Sequence, residues 1–310
     1  TTKHVTLEEY QAFGHKPLSI NSLKIREVID SLIRNDNDDL PADLHARSYY
    51  LQERKFLWIN RHGLTSQADT LLQYLQTVGE LGFSPRRFKV PQIQEDINRA
   101  RLLNFDEIQS INLVFGRLEY YLTKAYLRYS KGQRYGYVDP TYLLNRLDTL
   151  WQNKPDTIKR PVRYRGLYDV KMELPNKHFY DFALRKIDTD SVPYFLKEIQ
   201  PISNFFHALS QEYMKGVGGK NWRAKLLCNM ERCRWRLADY PQRHKRYVLV
   251  NIPSFHLMAV DGQDTLSMRI GCGTLATKTP LLASSIRRMD VKLSEKDIKE
   301  IVAWKINDEM

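Results

Sequence analysis

The sequence predicts an α+β fold: a mainly helical scaffold followed by a small, apparently incomplete antiparallel β domain. Three observations carry that expectation. Apolar residues recur at helical spacing, with short polar breaks, from Ile25 past Tyr126. Only the stretch from Arg246 to Val291 is rich in β-branched and aromatic residues with turn signals at strand spacing. At 310 residues, 42% hydrophobic and 27% charged, the chain has the composition of a globular protein and length for about two domains.

In chain order, Ile25, Val28, Ile29, Leu32 and Ile33 fall on one helical stripe, and the Asn35–Asp39 cluster ends it. Pro41 opens a second helix, expected to run through Tyr49, Tyr50 and Phe56 to Trp58 and to stop near Gly63. Thr65 or Ser66 can cap a third, with Leu71, Leu72, Leu75 and Val78 along its stripe and Gly79 and Gly82 near its end. Asp106–Ser130 is expected as the longest helix, apolar over more than one face through Ile108, Phe115, Leu118, Leu122 and Tyr126. Such a helix packs on both sides, and Gly116 within it, at about 1 kcal/mol against Ala, points to a close approach. The tyrosines from Tyr120 to Tyr142 read as core at helical spacing rather than as a ligand platform.

The sheet is expected as a meander. Tyr247–Ile252 forms a strand stopped by Pro253, and Phe255–Val260 and Thr265–Ile270 form a hairpin around Asp261-Gly262-Gln263-Asp264. Ser284–Val291 offers a weaker fourth strand. Ser294 and Asp297 then have capping-box spacing ahead of the Ile298, Ile301, Val302 stripe of a last helix.

Charge and cysteine content narrow the function classes. The net charge is +12, and from Glu212 to Arg246 ten basic residues stand against three acidic ones, with Trp222 and Trp235 interleaved. No helix-turn-helix, RNP or zinc-finger signature accompanies that patch, so a solvated helix face is the first reading and nucleic acid is not expected. Three cysteines are too few for a disulfide framework and match no zinc spacing, so no metal is expected. Cys228 and Cys233 on one helix lie roughly 8 Å apart by helical geometry, beyond disulfide reach. No apolar run is long enough to span a bilayer. The chain opens Thr1-Thr2-Lys3 without Met, so a leader was removed or the sequence was trimmed.

Tyr247-Val-Leu-Val-Asn-Ile-Pro253, the hairpin, Gly271-Cys-Gly273 and Thr279-Pro280, preceded by Asn229-Met-Glu-Arg-Cys-Arg-Trp235, resemble the opening of an L,D-transpeptidase catalytic domain of the large YcbB type, with its YkuD-like sheet. Tyr49–Trp58, Gly82-Phe-Ser-Pro85, Glu119–Thr123 and Gly136–Pro140 are similar to the helical scaffold of the same enzymes. The resemblance implies a transferase of peptidoglycan biosynthesis. It joins stem peptides by 3-3 cross-links through cysteine acyl transfer, without a cofactor, and is periplasmic or in the cell envelope, after signal-peptide removal or as an anchored ectodomain. It also implies stem peptides, and other cell-wall enzymes, as partners. No room is found between Pro201 and Trp235 for the peptidoglycan-binding module that many members insert.

The family's S-H-G-C-x-R motif is absent, so no catalytic residue is assigned and the binding residues stay unknown. Cys272 is flanked by glycines, yet it falls on the early G…TP segment rather than at the nucleophile position. His62-Gly63 belongs to a scaffold loop, and His244 and His256 read as exposed or hydrogen-bonded. Arg232, Arg234 and Trp235 are expected to support the joint between domains. The domains are set at 1-240 for the helical scaffold, 241-291 for the leading strands and 292-310 for a C-terminal helix. Either the catalytic half has been lost, or a segment between Val291 and Lys292 is left out. The strands, which call for a partner sheet, favour omission. The alternative is a non-catalytic envelope scaffold or wall-binding protein.

Overall fold

The computed structural model describes residues 18–140, 168–169, 171–274, 279 and 281–286. The chain divides into two compact units, Thr1–Leu147 with Met172–Arg243, and Asp148–Lys171 with His244–Met310. The first is helical: α1 (Ser22–Arg34), α2 (Pro41–Leu51), the short hairpin β1 (Ile59–Asn60) and β2 (Gly63–Leu64), α3 (Ser66–Gln76), α4 (Val90–Leu102), α5 (Ile111–Tyr135), α6 (Lys177–Asp188), α7 (Val192–Glu198), α8 (Asn204–Met214) and α9 (Lys220–Arg232). Together with the small antiparallel sheet of the second unit, this is the expected α+β class.

Helix α5 is the axis of the helical unit. Burial runs round its circumference, through Val114, Leu118, Tyr120, Leu122, Tyr126, Leu127 and Tyr129, and α1, α2, α3, α4 and α6 all pack on it. Gly116 is where α1 comes closest, since a Cβ there would lie 2.6 Å from Val28 Cγ1 and 3.1 Å from the Ile25 carbonyl oxygen. The tyrosines join the core, with Tyr126 set edge-on to Trp58 at 5.7 Å. Tyr142 lies outside the described residues.

The limits of α5 differ from those expected. It starts at Ile111 rather than Asp106, because the Asp106 carboxylate accepts the N–H groups of Ile108 and Gln109 in a local turn, leaving Ile108 81% exposed. Ser110 Oγ then accepts the Leu113 N–H as the true cap. The helix runs on to Tyr135, where Gly136 takes φ 85° and Lys131 Nζ donates to its carbonyl at 2.6 Å.

Helix α2 is shorter than expected. It ends at Leu51, and the residues up to Trp58 do not continue it. The cause lies on α5. The N–H groups of Leu57 and Trp58 both donate to the Glu119 carboxylate, and these backbone donors are thereby lost to any helix. The chain enters β1, which pairs antiparallel with β2, Ile59 opposite Leu64. Thr65 takes the N-cap position of α3 without its hydroxyl accepting a bond; its carbonyl accepts from Arg101 Nη2 at 2.8 Å.

Glu119 is fully buried and also accepts from the Tyr50 hydroxyl at 3.0 Å. Burial pushes its carboxyl from the ordinary 4.5 to about 7, although the Leu57, Trp58 and Tyr50 donors act in the opposite direction. A second polar set lines another part of α5. Lys124 Nζ meets Asp36 and, at 2.9 Å, Asp38, while Arg128 meets Asp38 at 2.6 Å and grips the buried Asp43 with two nitrogens. Arg117 Nε donates to buried Asp96 of α4 at 2.9 Å.

The second unit contains β4 (Arg246–Asn251), β5 (His256–Asp261) and β6 (Asp264–Arg269) as an antiparallel meander in that order. Val248 faces Ala259 and Leu266 across it, and Leu249 faces Met258 and Ser267. Asp261 pairs with Asp264, so the hairpin loop is Gly262-Gln263, and Gly262 takes φ 63° as the first loop position requires. The first strand stops at Asn251, whose side chain accepts the Ser254 N–H, and a 3-10 turn carries Ile252–Ser254. Of the expected fourth strand, Ser284–Val291, only residues 284–286 are described, and they are not in a ladder; just before them β7 (Leu281–Leu282) pairs parallel with β3 (Tyr168–Asp169). Among the described residues the meander has three strands. Residues 287–291 and the last helix expected after Lys292 lie outside the described residues.

Gly116→Ala should lower stability by about 1–2 kcal/mol in urea unfolding despite the better helix propensity, because Val28 is branched at the point of contact. Adding Val28→Ala should make the two losses less than additive. For Glu119, the folded state holds its proton up to about pH 7 while the unfolded chain releases it near 4.5. Its contribution to stability is therefore fully present below the lower value and is lost as pH rises through the upper one. Between about pH 5 and pH 8 the loss is about 3 kcal/mol. Glu119→Gln should remove that part of the pH slope, read as the difference between unfolding midpoints of the two proteins; other titrating groups, His45 among them, cancel in the comparison.

Candidate functional site

The residues with chemistry on the sheet are Cys272 and His256. Facing residues of an antiparallel pair share a face, so Val248, Val250, Leu257, Ala259, Leu266 and Met268 lie on one side, and Tyr247, Leu249, Met258 and Val260 lie with His256 and Arg269 on the other. Both sides are apolar and both are open: Leu266 is 59% exposed and Met258 38%. After β6 the chain turns back, and the half-buried Cys272 thiol meets the Ile252 carbonyl oxygen at 3.9 Å. His256 Nδ1 is engaged by the Ser254 carbonyl at 3.0 Å. Among the described residues no histidine bonds to Cys272, and the group its thiol meets there, a backbone carbonyl, cannot take its proton to make it a nucleophile.

The other histidines are placed elsewhere. His62 lies in the β1–β2 turn, where Nε2 accepts from Arg61 Nε at 2.9 Å and the backbone N–H donates to Asn60 at 2.8 Å. His244 is exposed just ahead of β4. Cys228 is exposed on α9, and burial pushes the Cys233 thiol up, against the opposing charge of Arg234; all three cysteines are free thiols. Among the described residues no group of three or more His, Cys, Asp or Glu side chains could hold a metal ion, and no helix is long and apolar enough to cross a membrane.

The Asn229–Trp235 segment is better built. Arg234 is 2% exposed, and its guanidinium lies over three rings, Phe206 at 4.9 Å and Phe83 and Tyr137 at 5.5 Å. Nε donates to Gln133 of α5 at 3.4 Å and Nη1 to Glu231 at 3.3 Å, while Nη2 is buried without a partner. The other Glu231 oxygen accepts the Val138 N–H at 2.8 Å. Trp235 packs where a Cβ on Gly136 would meet its indole ring at 2.7 Å, and a Cβ on Gly132 would meet the Tyr137 ring at 2.1 Å. Arg234 and Trp235 therefore fasten α9 to the end of α5 within the helical unit. Arg232 is exposed and donates to Asn229 at 3.3 Å.

A cleft of about 350 Å³ between α1 and the end of α2 has Arg26, Asp30, Arg34 and Glu53 on its walls. The charges are of both signs and do not converge on one ligand chemistry.

The fold and these residues can now be set beside known proteins. The Scaffold domain model matches residues 43–212, more than half the chain, and the chain belongs to that family, the N-terminal scaffold of L,D-transpeptidases. The match takes in α2 to α7 and most of α8, the bundle around α5, and stops short of the sheet. No curated protein and no solved structure matches the chain.

Sequence reasoning passed over Glu119, the Lys124–Arg128 network and the Arg234 cage. Glu119 and Thr123 stand one turn apart among apolar neighbours, and Arg117, Lys124 and Arg128 recur on a helix whose surroundings carry the Asp36–Asp39 cluster. Those spacings were signals of buried polar partners. Arg234→Ala should cost about 3 kcal/mol in chemical unfolding, since it empties the space between the rings and removes the partner of Glu231. Arg234→Met, which keeps much of the volume, should cost less than half as much.

Proposed function

We propose that this protein is a cell-wall transferase of the L,D-transpeptidase type, built on a helical scaffold and extracytoplasmic. The single observation that carries the reading is the Scaffold domain match over residues 43–212. The order of motifs beyond it, Asn229–Trp235, then Tyr247–Pro253, then Gly271–Gly273 and Thr279-Pro280, agrees with the start of a catalytic domain in residues 241–291.

In that reaction a cysteine thiolate attacks the carbonyl of the third residue of a donor stem peptide. The amide bond to the terminal D-alanine breaks, D-alanine leaves with a proton on its amine, and a thioester remains. The side-chain amine of an acceptor stem attacks the thioester, forms the 3-3 amide cross-link and returns the thiol. Backbone N–H donors stabilise the tetrahedral oxyanion in both steps. The cysteine this requires belongs to an S-H-G-C-x-R motif that these 310 residues do not contain. Cys272, whose thiol is bonded to a backbone carbonyl and which falls outside that motif, is not assigned the role.

A second reading, a non-catalytic envelope scaffold, rests on the same Scaffold domain match. Intact mass before and after incubation with a carbapenem separates the two. A species heavier than 36.6 kDa that gains one drug adduct supports the transferase, and the adduct should persist in Cys272→Ala. A mass of 36.6 kDa with no adduct, together with retention on purified peptidoglycan, leaves the scaffold reading.

A further inference from the structure

Among the described residues the α8–α9 hairpin is buried at one end. Its buried residues are Phe206, at the start of α8, and Leu226 and Met230, in the later half of α9. Towards the turn burial fades, and Met214 (51% exposed), Val217 (64%) and Trp222 (46%) stand out on the surface. Gly216 (φ 69°) and Gly218 (φ 95°) make the turn tight, and the Trp222 ring lies over Gly218, where a Cβ would come within 2.4 Å of it. From Lys215 to Lys225 there are four cations, Lys215, Lys220, Arg223 and Lys225, and no acid. Arg223 is tied down across the hairpin, its guanidinium 4.2 Å from the Tyr213 ring, and Lys215 pairs with Glu212 at 2.7 Å. Lys220 and Lys225 are exposed.

We propose that this tip docks on an anionic lipid bilayer, with Val217, Met214 and Trp222 entering the headgroup boundary and the lysines over the lipid phosphates. Charge complementarity names the partner, and shape narrows it. Apolar side chains on a convex turn need a surface that deforms around them, whereas a nucleic acid or a peptide needs a groove or a stacking platform. An indole at the boundary, with an apolar body and one N–H, suits that depth. The inference is independent of the transferase reading, because it concerns the helical unit alone.

The test is co-sedimentation of the full chain with vesicles of phosphatidylcholine, with and without phosphatidylglycerol. Binding is expected to the acidic vesicles and to weaken steeply with salt. Lys220→Gln/Lys225→Gln should lower the partition coefficient roughly thirtyfold, at about 1 kcal/mol per charge near such a surface. Val217→Ser/Trp222→Ser should lower it at least about tenfold with an unchanged far-UV spectrum. Tryptophan emission should shift to the blue on binding, and Trp222→Phe should abolish that shift. No binding to acidic vesicles, equal binding to neutral ones, binding indifferent to these substitutions, or a stronger substitution-sensitive affinity for duplex DNA would each overturn the proposal.

Discussion

The constraint on which the helical unit depends is the carboxylate of Glu119, placed at the centre of a helix that is buried all round. A carboxylate cannot be taken out of water unless its oxygens are satisfied, and here the donors come from two other places, the N–H groups of Leu57 and Trp58 and the hydroxyl of Tyr50. The same hydroxyl meets Thr123, which in turn accepts from the Trp58 indole at 2.9 Å. One polar cluster thus fixes where α2 must end, where β1 must begin and at what height both meet α5. The cost of dehydrating Glu119 remains visible in its raised pKa, so this is a device for specifying one arrangement as much as for stabilising it.

The chain's periodicity made most of the bundle legible. Stripes such as Ile25 to Ile33 and Leu71 to Val78 became helices against the core, and Gly116 was read correctly as a place of close approach. The errors fell where a polar group outside the window decided the outcome. Propensity alone lets α2 run on to Trp58, because the group that stops it is more than sixty residues away on α5. Asp106 looked like a helical residue until its carboxylate was seen to hold two N–H groups of its own turn. In the sheet, the hairpin was legible because its turn is local, whereas β3 and β7 pair across more than a hundred residues and two positions, too little sequence to announce a strand.

The candidate site was legible to a different degree. The sequence offered Cys272 and the histidines as chemistry and Arg234 and Trp235 as support, and the geometry gives each a specific neighbour: a carbonyl for the thiol, a turn for His62, three rings for the guanidinium. Phe83, Tyr137 and Phe206 come from three separate parts of the chain, so no window could have shown the cage. The family match agrees with this division. It lies on the bundle, where the core is continuous, and ends before the sheet, whose two apolar faces are both open.

The ionic set of Lys124, Arg128, Asp36, Asp38 and Asp43 has a thermal consequence. Ions hydrate with strongly negative entropy, so the penalty for keeping the buried members of this set, Lys124, Arg128, Asp36 and Asp43, away from water shrinks as temperature rises, while the gain from apolar burial levels off. The join between α5 and the connection from α1 to α2 therefore carries a growing share of the cohesion in a warm protein. On heating, the bundle is set to loosen first where its contacts are purely apolar or few, and to keep this corner longest.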